Sequence, residues 1–333
     1  MDLTVAICTF NGASRLPATL EALRQQKELA AIEWELLLID HHSNDQTCAL
    51  FEQFQKANPE IHSRMLHETS PGARFSACRA YREAAAPWIC RVDDDNLLAP
   101  DYLRKGFDFA TRASRQIGAF GGRSIAKFEG NEPSHLEAFS LGLAIGDCGD
   151  VERQLLKLER VFTAGLFVRT EAIRSVLAET WLMNGRSPTC PFGGEDTEMY
   201  VKMTRRGWQY WYVPGLSFLH VMPAHRVELK SLLRQRALQG GESLFMALGY
   251  SDPKQPLLVI ALWQYLIEGW AKFLARCLLF CLTPGRRRWR QLSELAPRWG
   301  FIRYFYYGLM NFGQRRHEVA LTRDASHLMS EAR

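Results

Sequence analysis

The stretch PWICRVDDDN, residues 87–96, joins an apolar run directly to three aspartates. A short, continuous apolar run favours a β-strand that is buried on both faces of its sheet. Two similar runs lie upstream, LTVAICTF at residues 3–10 and WELLLID at residues 34–40. Between them, residues 16–23 carry leucines at helical spacing. Strands that alternate with helices predict an α/β fold, with a Rossmann-type, mostly parallel sheet flanked by helices.

Polar residues follow each of the three predicted strands. Ligands of open α/β sheets bind beyond the carboxyl ends of the strands, so residues 9–11, 40–45 and 93–96 are expected at one sheet edge. No Gly-x-Gly-x-x-Gly segment follows the first strand, and the chain contains no Walker loop. These two absences disfavour dinucleotide-binding and P-loop functions.

Asp93, Asp94 and Asp95 are consecutive carboxylates whose charges repel one another. Hard carboxylate oxygens suit Mg²⁺ or Mn²⁺, and such ions commonly bridge to the phosphates of a substrate. The other interpretation is a solvated turn that caps the helix after Pro100. An Asp-x-Asp triplet alone does not decide between a metal site and a turn.

Asp40 and Asp45 follow the second predicted strand in the loop DHHSND. Turn formation alone explains acidic residues at such positions. A carboxylate at a strand end can also accept a hydrogen bond from the N–H group of a nucleobase. Both interpretations stay open from the residues alone.

A second polar cluster begins at Glu195 and Asp196, which follow two glycines. Acidic residues favour a helix N-terminus, and a carboxylate there can also serve as a general base for an attacking hydroxyl. His220 lies in an apolar, strand-like segment, where it is either a core histidine or a further metal ligand. His225 and Arg226 are either a diphosphate contact or plain surface.

Charge is unevenly distributed along the 333 residues. Residues 227–333 contain 16 Lys and Arg against 8 Asp and Glu, whereas residues 1–226 contain 25 against 28. The eight cysteines are scattered without a Cys-x-x-Cys pair, which argues against a zinc site and suits a reducing cytoplasm. No signal peptide is expected, because the first strand begins at once.

The basic region contains a long apolar run, residues 257–284. Four polar residues recur within it at every fourth position, which predicts one polar stripe on a helix: Gln264, Glu268, Lys272 and Arg276. Such charges disfavour a membrane span and favour an interfacial helix. The following segment GRRRWRQ adds arginines and a tryptophan, so a peripheral membrane contact is expected through residues 257–290. The alternative is a helical hairpin packed on the rest of the chain or on a dimer partner. A nucleic-acid partner is not expected.

Five segments together carry a resemblance to a known family. They are VAICTFNGASRLPATLEAL, LLLIDHHSNDQT, GARFSACRAYREAAAPWICRVDDDNLLAPDYL, FTAGLFVRTEAI and GGEDTEMYVKMTRRGWQYWYVP. In order and spacing they resemble the inverting glycosyltransferases of family 2, which have the GT-A fold. The chain departs from that family at His41 and His42, where an acid or Asn and then Gly are usual, and at Ala80, where Asn is common. It also lacks the Gln-x-x-Arg-Trp of processive synthases.

The resemblance implies a nucleotide-sugar donor and a divalent cation, Mn²⁺ or Mg²⁺. The implied metal ligands are Asp95, Asp93 and His220. The implied catalytic base is Asp196, with Glu195 beside it. The residues implied or proposed at the nucleotide-sugar site are Thr9, Phe10, Asn11, Asp40, Asp45, Arg79, Asp93 and Asp94.

The resemblance also predicts the organisation of the chain and its function. Residues 1–226 form a GT-A catalytic domain, with a nucleotide-sugar half over about 1–100 and an acceptor half over about 101–226, and residues 227–333 form a helical, basic, amphipathic region. The predicted enzyme moves one sugar, from a UDP-sugar by preference, to a hydroxyl of a glycan or lipid-linked acceptor. It is expected in the cytoplasm, peripherally at the inner face of the cytoplasmic membrane, with a homodimer left open. The alternative is a non-catalytic nucleotide-sugar-binding subunit, whereas phosphoryl transfer lacks its phosphate loop.

Overall fold

The computed structural model describes residues 1–156, 159, 161–179, 181, 183–186, 193–249 and 258–305. Its strands are β1 (Leu3–Thr9), β2 (Trp34–Asp40), β3 (Ser63–His67), β4 (Trp88–Asp93), β5 (Asn96–Leu98), β6 (Ile117–Phe128), β7 (Arg153–Gln154), β8 (Leu166–Arg169) and β9 (Gln209–Met222). Its α-helices are α1 (Leu16–Arg24), α2 (Thr47–Ala57), α3 (Ala73–Glu83), α4 (Tyr102–Arg112), α5 (Leu136–Phe139), α6 (Thr170–Leu177), α7 (Glu195–Arg205), α8 (Leu229–Gly249) and α9 (Leu258–Leu282). Residues 288–305 are also helical.

The strands form one mixed sheet in the order β3-β2-β1-β4-β8-β6-β9-β5, with β7 paired to β9. Strands β1 to β4 run parallel to one another, as does the pair β6 and β9. Antiparallel pairs join β8 to β4 and to β6, and β9 to β5 and to β7. The predicted α/β fold, with helices around a mostly parallel sheet and a helical C-terminal region, is therefore confirmed.

Four neighbouring parallel strands end nearly level with one another. The pairing places Thr9 opposite Asp40, and Cys8 opposite Asp93. On the far side of β2, Asp40 lies opposite His67 at the end of β3. The carboxyl ends of these strands therefore form a common edge, as the sequence predicts.

Aromatic side chains fill the core beneath this sheet. Phe120 and Phe167 stack with ring centroids 4.8 Å apart, and Phe109 lies 4.5 Å from Phe120. Each of these side chains is almost completely buried. Burial of one such side chain contributes roughly 1.5–3 kcal/mol, so this cluster holds the central strands in place below the polar edge.

The chain forms two compact units. The first consists of Met1–Glu129, Ala144–Ala178 and Met199–Met222, and it contains the whole sheet. The second consists of Gly130–Leu143, Glu179–Glu198 and Pro223–Arg333.

In the second unit, α8 and helical segment 288–305 cross at two glycines. A Cβ atom on Gly240 would lie 1.8 Å from the Pro297 carbonyl oxygen, and one on Gly300 would lie 1.8 Å from the Ala237 carbonyl oxygen. Only residues without a side chain allow backbones to approach this closely. A larger residue at either position would push the two helices apart.

Helix α9 packs against the same segment 288–305. Arg276 donates a hydrogen bond of 2.8 Å to Gln291 Oε1 and forms an ion pair with Glu294. One of the four residues of the predicted polar stripe thus faces a neighbouring helix. Among the helices of the described ranges, none has both the length and the apolar character that a bilayer span requires.

Candidate active site

The loops after β1 and β2 are joined by hydrogen bonds. The Asn11 backbone N–H donates to Ser43 Oγ at 2.9 Å, and the Asn44 N–H donates to Asn11 Oδ1 at 2.9 Å. The Ala13 N–H donates to Asp45 Oδ2 at 3.1 Å. A hydrogen bond from the Thr47 side chain lowers the pKa of the Asp45 carboxyl below its usual range. Asn11 and Asp45, both predicted at the nucleotide-sugar site, therefore also shape the edge on which that site would lie.

Asp94 is held by a network that the sequence did not predict. Arg15 donates from Nε to Oδ1 at 2.9 Å and from Nη2 to Oδ2 at 2.8 Å. The Thr9 hydroxyl donates to Oδ2 at 2.5 Å. The hydrogen bond with Asp94 raises the pKa of the Arg15 guanidinium. Asp94 is buried, and both of its oxygens are engaged, so it is the least available of the three aspartates for a metal ion.

Gly12 makes this network possible. A Cβ atom at that position would lie 2.2 Å from Thr9 Oγ1 and 2.6 Å from Asp94 Oδ2. Such contacts are shorter than non-bonded atoms allow, so any side chain there would displace the threonine or the aspartate.

Asp95 is paired with His220 across the end of the sheet. His220 Nε2 lies 3.3 Å from Asp95 Oδ2, and both side chains are largely buried. The backbone fixes this pair, because the Val221 N–H donates to the Asp95 carbonyl at 2.9 Å and Asn96 lies opposite His220. A carboxylate oxygen and an imidazole nitrogen converge here, which is a donor set that a divalent ion such as Mn²⁺ accepts.

Asp93 is more open than its two neighbours. Its side chain is 40% exposed, and Arg91 Nη2 lies 3.5 Å from Oδ1. Within the described residues, Asp93 does not join Asp95 and His220 in a three-ligand group whose atoms all lie within 4.8 Å of one another. The residues of this edge therefore fit a metal through two close ligands, with Asp93 next to them in the chain.

Asp40 ends β2 in a buried position, with 2% of its surface exposed. His67 Nδ1 lies 3.1 Å from Oδ2, and the Ser43 N–H donates to the same oxygen over 3.4 Å. Oδ1 is buried and has no hydrogen-bond partner among the described residues. Leaving such an atom without a partner costs roughly 1–3 kcal/mol, so this oxygen is a suitable acceptor for a bound ligand.

Two histidines follow Asp40 where the family pattern has an acid or Asn and then Gly. His42 adopts a left-handed backbone conformation with φ of 56°, which glycine adopts without strain. His41 Nε2 lies 2.8 Å from the Ser70 carbonyl oxygen, and its ring makes an edge contact with Phe10. The ring of Phe10 is 57% exposed, so it is available to a flat ligand group.

Arg79, the last residue predicted at the donor site, lies on α3. Its Nε is 3.1 Å from Glu83 Oε1, one helical turn away. Ala80, which stands where the family has Asn, is completely buried. The small side chain of Ala80 is therefore part of the packed face of α3.

Glu195 and Asp196 begin α7 and belong to the second unit. Burial, reinforced by the charge of Asp196, raises the pKa of the Glu195 carboxyl to about 8. Glu195 therefore keeps its proton at neutral pH. A neutral neighbour suits a general base.

The turn before this helix is held by Glu242 of α8. The Gly193 N–H donates to Glu242 Oε1 at 2.8 Å. Gly194 follows with φ of 88°, a conformation that favours glycine. Glu242 also contributes to the raised pKa of Glu195. Sequence reasoning missed Glu242, whose distance of 49 residues from Gly193 gives no local signal.

His225 and Arg226 also belong to the second unit. They lie in the short 3₁₀ turn Ala224–Arg226, where His225 is exposed and Arg226 half-buried. Whether they contact a diphosphate stays a prediction.

Comparison with known families covers most of the chain. Residues 4–168 match the family described as glycosyl transferase family 2. Residues 88–310 match glycosyl transferase family group 2.

Two curated proteins are similar over part of their length. TuaG of Bacillus subtilis (strain 168), named as a teichuronic acid biosynthesis glycosyltransferase, is 25% identical over 128 residues, which are 38% of this chain and 49% of TuaG. The succinoglycan biosynthesis protein ExoO of Rhizobium meliloti (strain 1021) is 25% identical over 147 residues, 42% of this chain and 40% of ExoO. The chain thus spans half or less of the curated relatives it matches.

Solved structures share the fold. A mannosyltransferase from Pyrobaculum calidifontis, in complex with GDP-Man and Mn²⁺, superposes with a TM-score of 0.58 at 16% identity, over 91% of this chain and 87% of its own. TarS of S. aureus, residues 1–349 with UDP-GlcNAc, gives a TM-score of 0.50 at 13% identity, over 92% of each chain.

Proposed function

Because the chain belongs to glycosyl transferase family group 2, whose family model matches residues 88–310, we propose that it transfers one sugar from a nucleotide-sugar donor to a hydroxyl of a glycan or lipid-linked acceptor. The observation that carries this proposal is the Asp95–His220 pair at the sheet edge, next to the aligned ends of β1, β2 and β4. The naming of TuaG and ExoO for polysaccharide biosynthesis supports a glycan as the acceptor class.

Asp95 and His220 would hold a divalent cation, Mn²⁺ or Mg²⁺, with Asp93 as the neighbouring carboxylate. Such an ion supplies Lewis-acid stabilisation of the departing nucleoside diphosphate. The Mn²⁺ in the structurally similar mannosyltransferase supports this assignment. Asp94 serves a different purpose, because its contacts with Arg15 and Thr9 fix the loop that carries Asp95.

Asp196 would act as the general base. It takes the proton of the acceptor hydroxyl while that oxygen forms a bond to the anomeric carbon of the sugar. The bond from this carbon to the diphosphate oxygen breaks on the opposite side, so the configuration inverts. Glu195 remains protonated at neutral pH and adds no second charge next to the base.

The surroundings of Asp40 support uracil as the base of the donor. His67 and Ser43 already engage Oδ2, which leaves Oδ1 as the buried acceptor. One carboxylate oxygen matches the single ring N–H of uracil, whereas guanine presents an N–H and an adjacent NH₂ that together require two acceptors. The fold itself does not decide this choice, since its solved relatives hold GDP-Man or UDP-GlcNAc.

The outer face of α9 supports a peripheral membrane location at the cytoplasmic side. Four residues at helical spacing on this face are 60–69% exposed: Ile267, Leu274, Leu278 and Leu282. The exposed arginines of residues 286–288 follow directly. Apolar side chains next to arginines suit an anionic bilayer surface. Sedimentation with anionic liposomes, and not with neutral ones, tests this location, and an apolar dimer interface would instead appear as a doubled mass without lipid.

The reaction itself is tested by release of nucleoside diphosphate. We expect the purified protein to release UDP from a UDP-sugar in the presence of Mn²⁺ or Mg²⁺ and a glycan acceptor, and not with EDTA. Donor binding in a thermal-shift screen without any turnover would favour the alternative of a non-catalytic binding subunit.

A further inference from the structure

Three side chains of different chemistry converge at the ends of β2 and β3. Asp40 ends β2, His67 ends β3, and Cys48 lies in the first turn of α2. Each offers one ligand atom, and these atoms all lie within 4.8 Å of one another. In the described part of the chain, this is the group in which three such residues come together.

The pairing of the strands builds this cluster. Parallel β2 and β3 place Asp40 directly opposite His67. The loop from residue 41 to 46 then returns the chain so that Cys48 lies beside the end of β2. The cluster therefore depends on three separate elements, and the spacing of its residues in the sequence gives no metal-binding motif.

The carboxylate of Asp40 has one oxygen that is available to a ligand. Only 2% of the surface of Asp40 is exposed, and Oδ1 has no hydrogen-bond partner among the described residues. Cys48 is half-buried and His67 is exposed, so an ion can enter from solvent.

We propose that Asp40, Cys48 and His67 bind a transition-metal ion of the zinc class, at a site separate from the Asp95–His220 pair. One carboxylate oxygen, one thiolate and one imidazole nitrogen are all common zinc ligands, and three protein ligands leave a fourth position for water. The Cys48 thiol releases its proton to solvent when the ion binds. The thiolate distinguishes this site from the hard carboxylates of residues 93–95, which suit Mn²⁺ or Mg²⁺.

The site has a consequence for the proposed function. Asp40 is also the residue assigned to the donor base, so a metal ion and the base exclude each other. Zn²⁺ therefore competes with UDP, whereas Mn²⁺ or Mg²⁺ supports donor binding. This competition rests on the proposed function, whereas binding of the metal ion to the three residues does not.

Metal binding is measured on the full chain after removal of metal, with Mg²⁺ in excess to fill hard sites. Co²⁺ is the probe, because its thiolate complex shows a charge-transfer absorption band. We expect one Co²⁺ per chain with this band, and loss of the band in Cys48→Ser. Cys148→Ser is the matched control, since Cys148 is also half-buried and should keep the band. Thermal unfolding of each variant verifies the fold.

His67→Gln tests the imidazole by titration with Zn²⁺. We expect its affinity for Zn²⁺ to fall by at least about 100-fold, because even outer-shell partners of a metal contribute about 10–100-fold. A wild-type protein without the band, or a band that survives in a folded Cys48→Ser variant, would overturn the site.

Competition is a separate readout. UDP added to the Zn²⁺-loaded protein should displace the ion. Zn²⁺ binding that UDP leaves unchanged would overturn the exclusion while the metal site stands, and sugar transfer by the wild type in Mg²⁺ is judged independently of either result.

Discussion

The roles of Asp94 and Asp95 can be separated by one pair of substitutions. Asp94 accepts three hydrogen bonds, two of them from Arg15. An asparagine keeps one acceptor and turns an NH₂ group toward a donor. A hydrogen bond to a charged group contributes about 1.5–3 kcal/mol, and the Arg15 side chain is 34% exposed, so we take a value near the lower end. Asp94→Asn should therefore lower the free energy of unfolding by about 2 kcal/mol.

Asp95→Asn should change stability little and abolish ligand binding. Its carboxylate faces His220 at 3.3 Å, and asparagine can keep a neutral contact there. We expect a loss of stability of about 1 kcal/mol, the usual contribution of one hydrogen bond. The substitution removes the charged ligand, however, so stabilisation by Mn²⁺ and UDP should disappear.

Urea unfolding with and without Mn²⁺ and UDP measures both effects. At ligand concentrations of about 100 times Kd, binding adds about 2.7 kcal/mol to the unfolding free energy. We expect Asp94→Asn to start from a lower value and to keep this increase, and Asp95→Asn to start near wild type and to lose it. An Asp95→Asn variant that keeps the increase, or an Asp94→Asn variant of normal stability that loses it, would refute these assignments.

Three further predictions follow from the same contacts. Glu242→Ala should lower kcat with little change in donor KM, because the Gly193 N–H loses its acceptor, whereas Glu242→Gln should retain most of the wild-type kcat. Equal kcat values for Glu242→Ala and Glu242→Gln in steady-state assays would contradict this. Glu195 keeps its proton to about pH 8 in the folded state, so the stability of the wild type should fall, relative to Glu195→Gln, as pH rises from the ordinary carboxyl range toward 8. An unfolding free energy, measured with urea, that changes with pH equally in both proteins would exclude this. Gly12→Ala should cost about 1–3 kcal/mol by overpacking against Asp94, and an unchanged melting temperature would rule that out.

The sequence predicted the elements and the edge because both depend on local patterns. Apolar runs and helical leucine spacing are visible in any window of the chain, and the ends of parallel strands must meet at one edge. The predicted strand at residues 87–92 is β4, and the aspartates follow it as expected. The residues alone left His220 open between a core histidine and a metal ligand, because 125 residues of chain separate it from Asp95. The resemblance favoured the ligand.

The contacts that sequence reasoning missed all depend on tertiary structure. Arg15 is the N-cap residue of α1 and binds Asp94, whereas the helical pattern around it singles out only leucines. Glu242 lies on a helix whose pattern gives no reason to single out one carboxylate. Cys48 lies near Asp40 and His67 because strand pairing brings β2 and β3 together, and no Cys-x-x-Cys spacing marks this group in the sequence. Side-chain direction and loop path, which no local pattern encodes, decide these contacts.

The central claim is that Asp196 is the base of a glycosyl transfer, and one paired measurement tests it most directly. Sugar transfer and donor affinity are determined side by side for the wild type and Asp196→Asn. We expect transfer to fall by about 10²–10⁴-fold, the usual contribution of a general base, with the Kd for the UDP-sugar unchanged. Donor affinity that falls in parallel with transfer, or transfer that survives the substitution, would contradict the account.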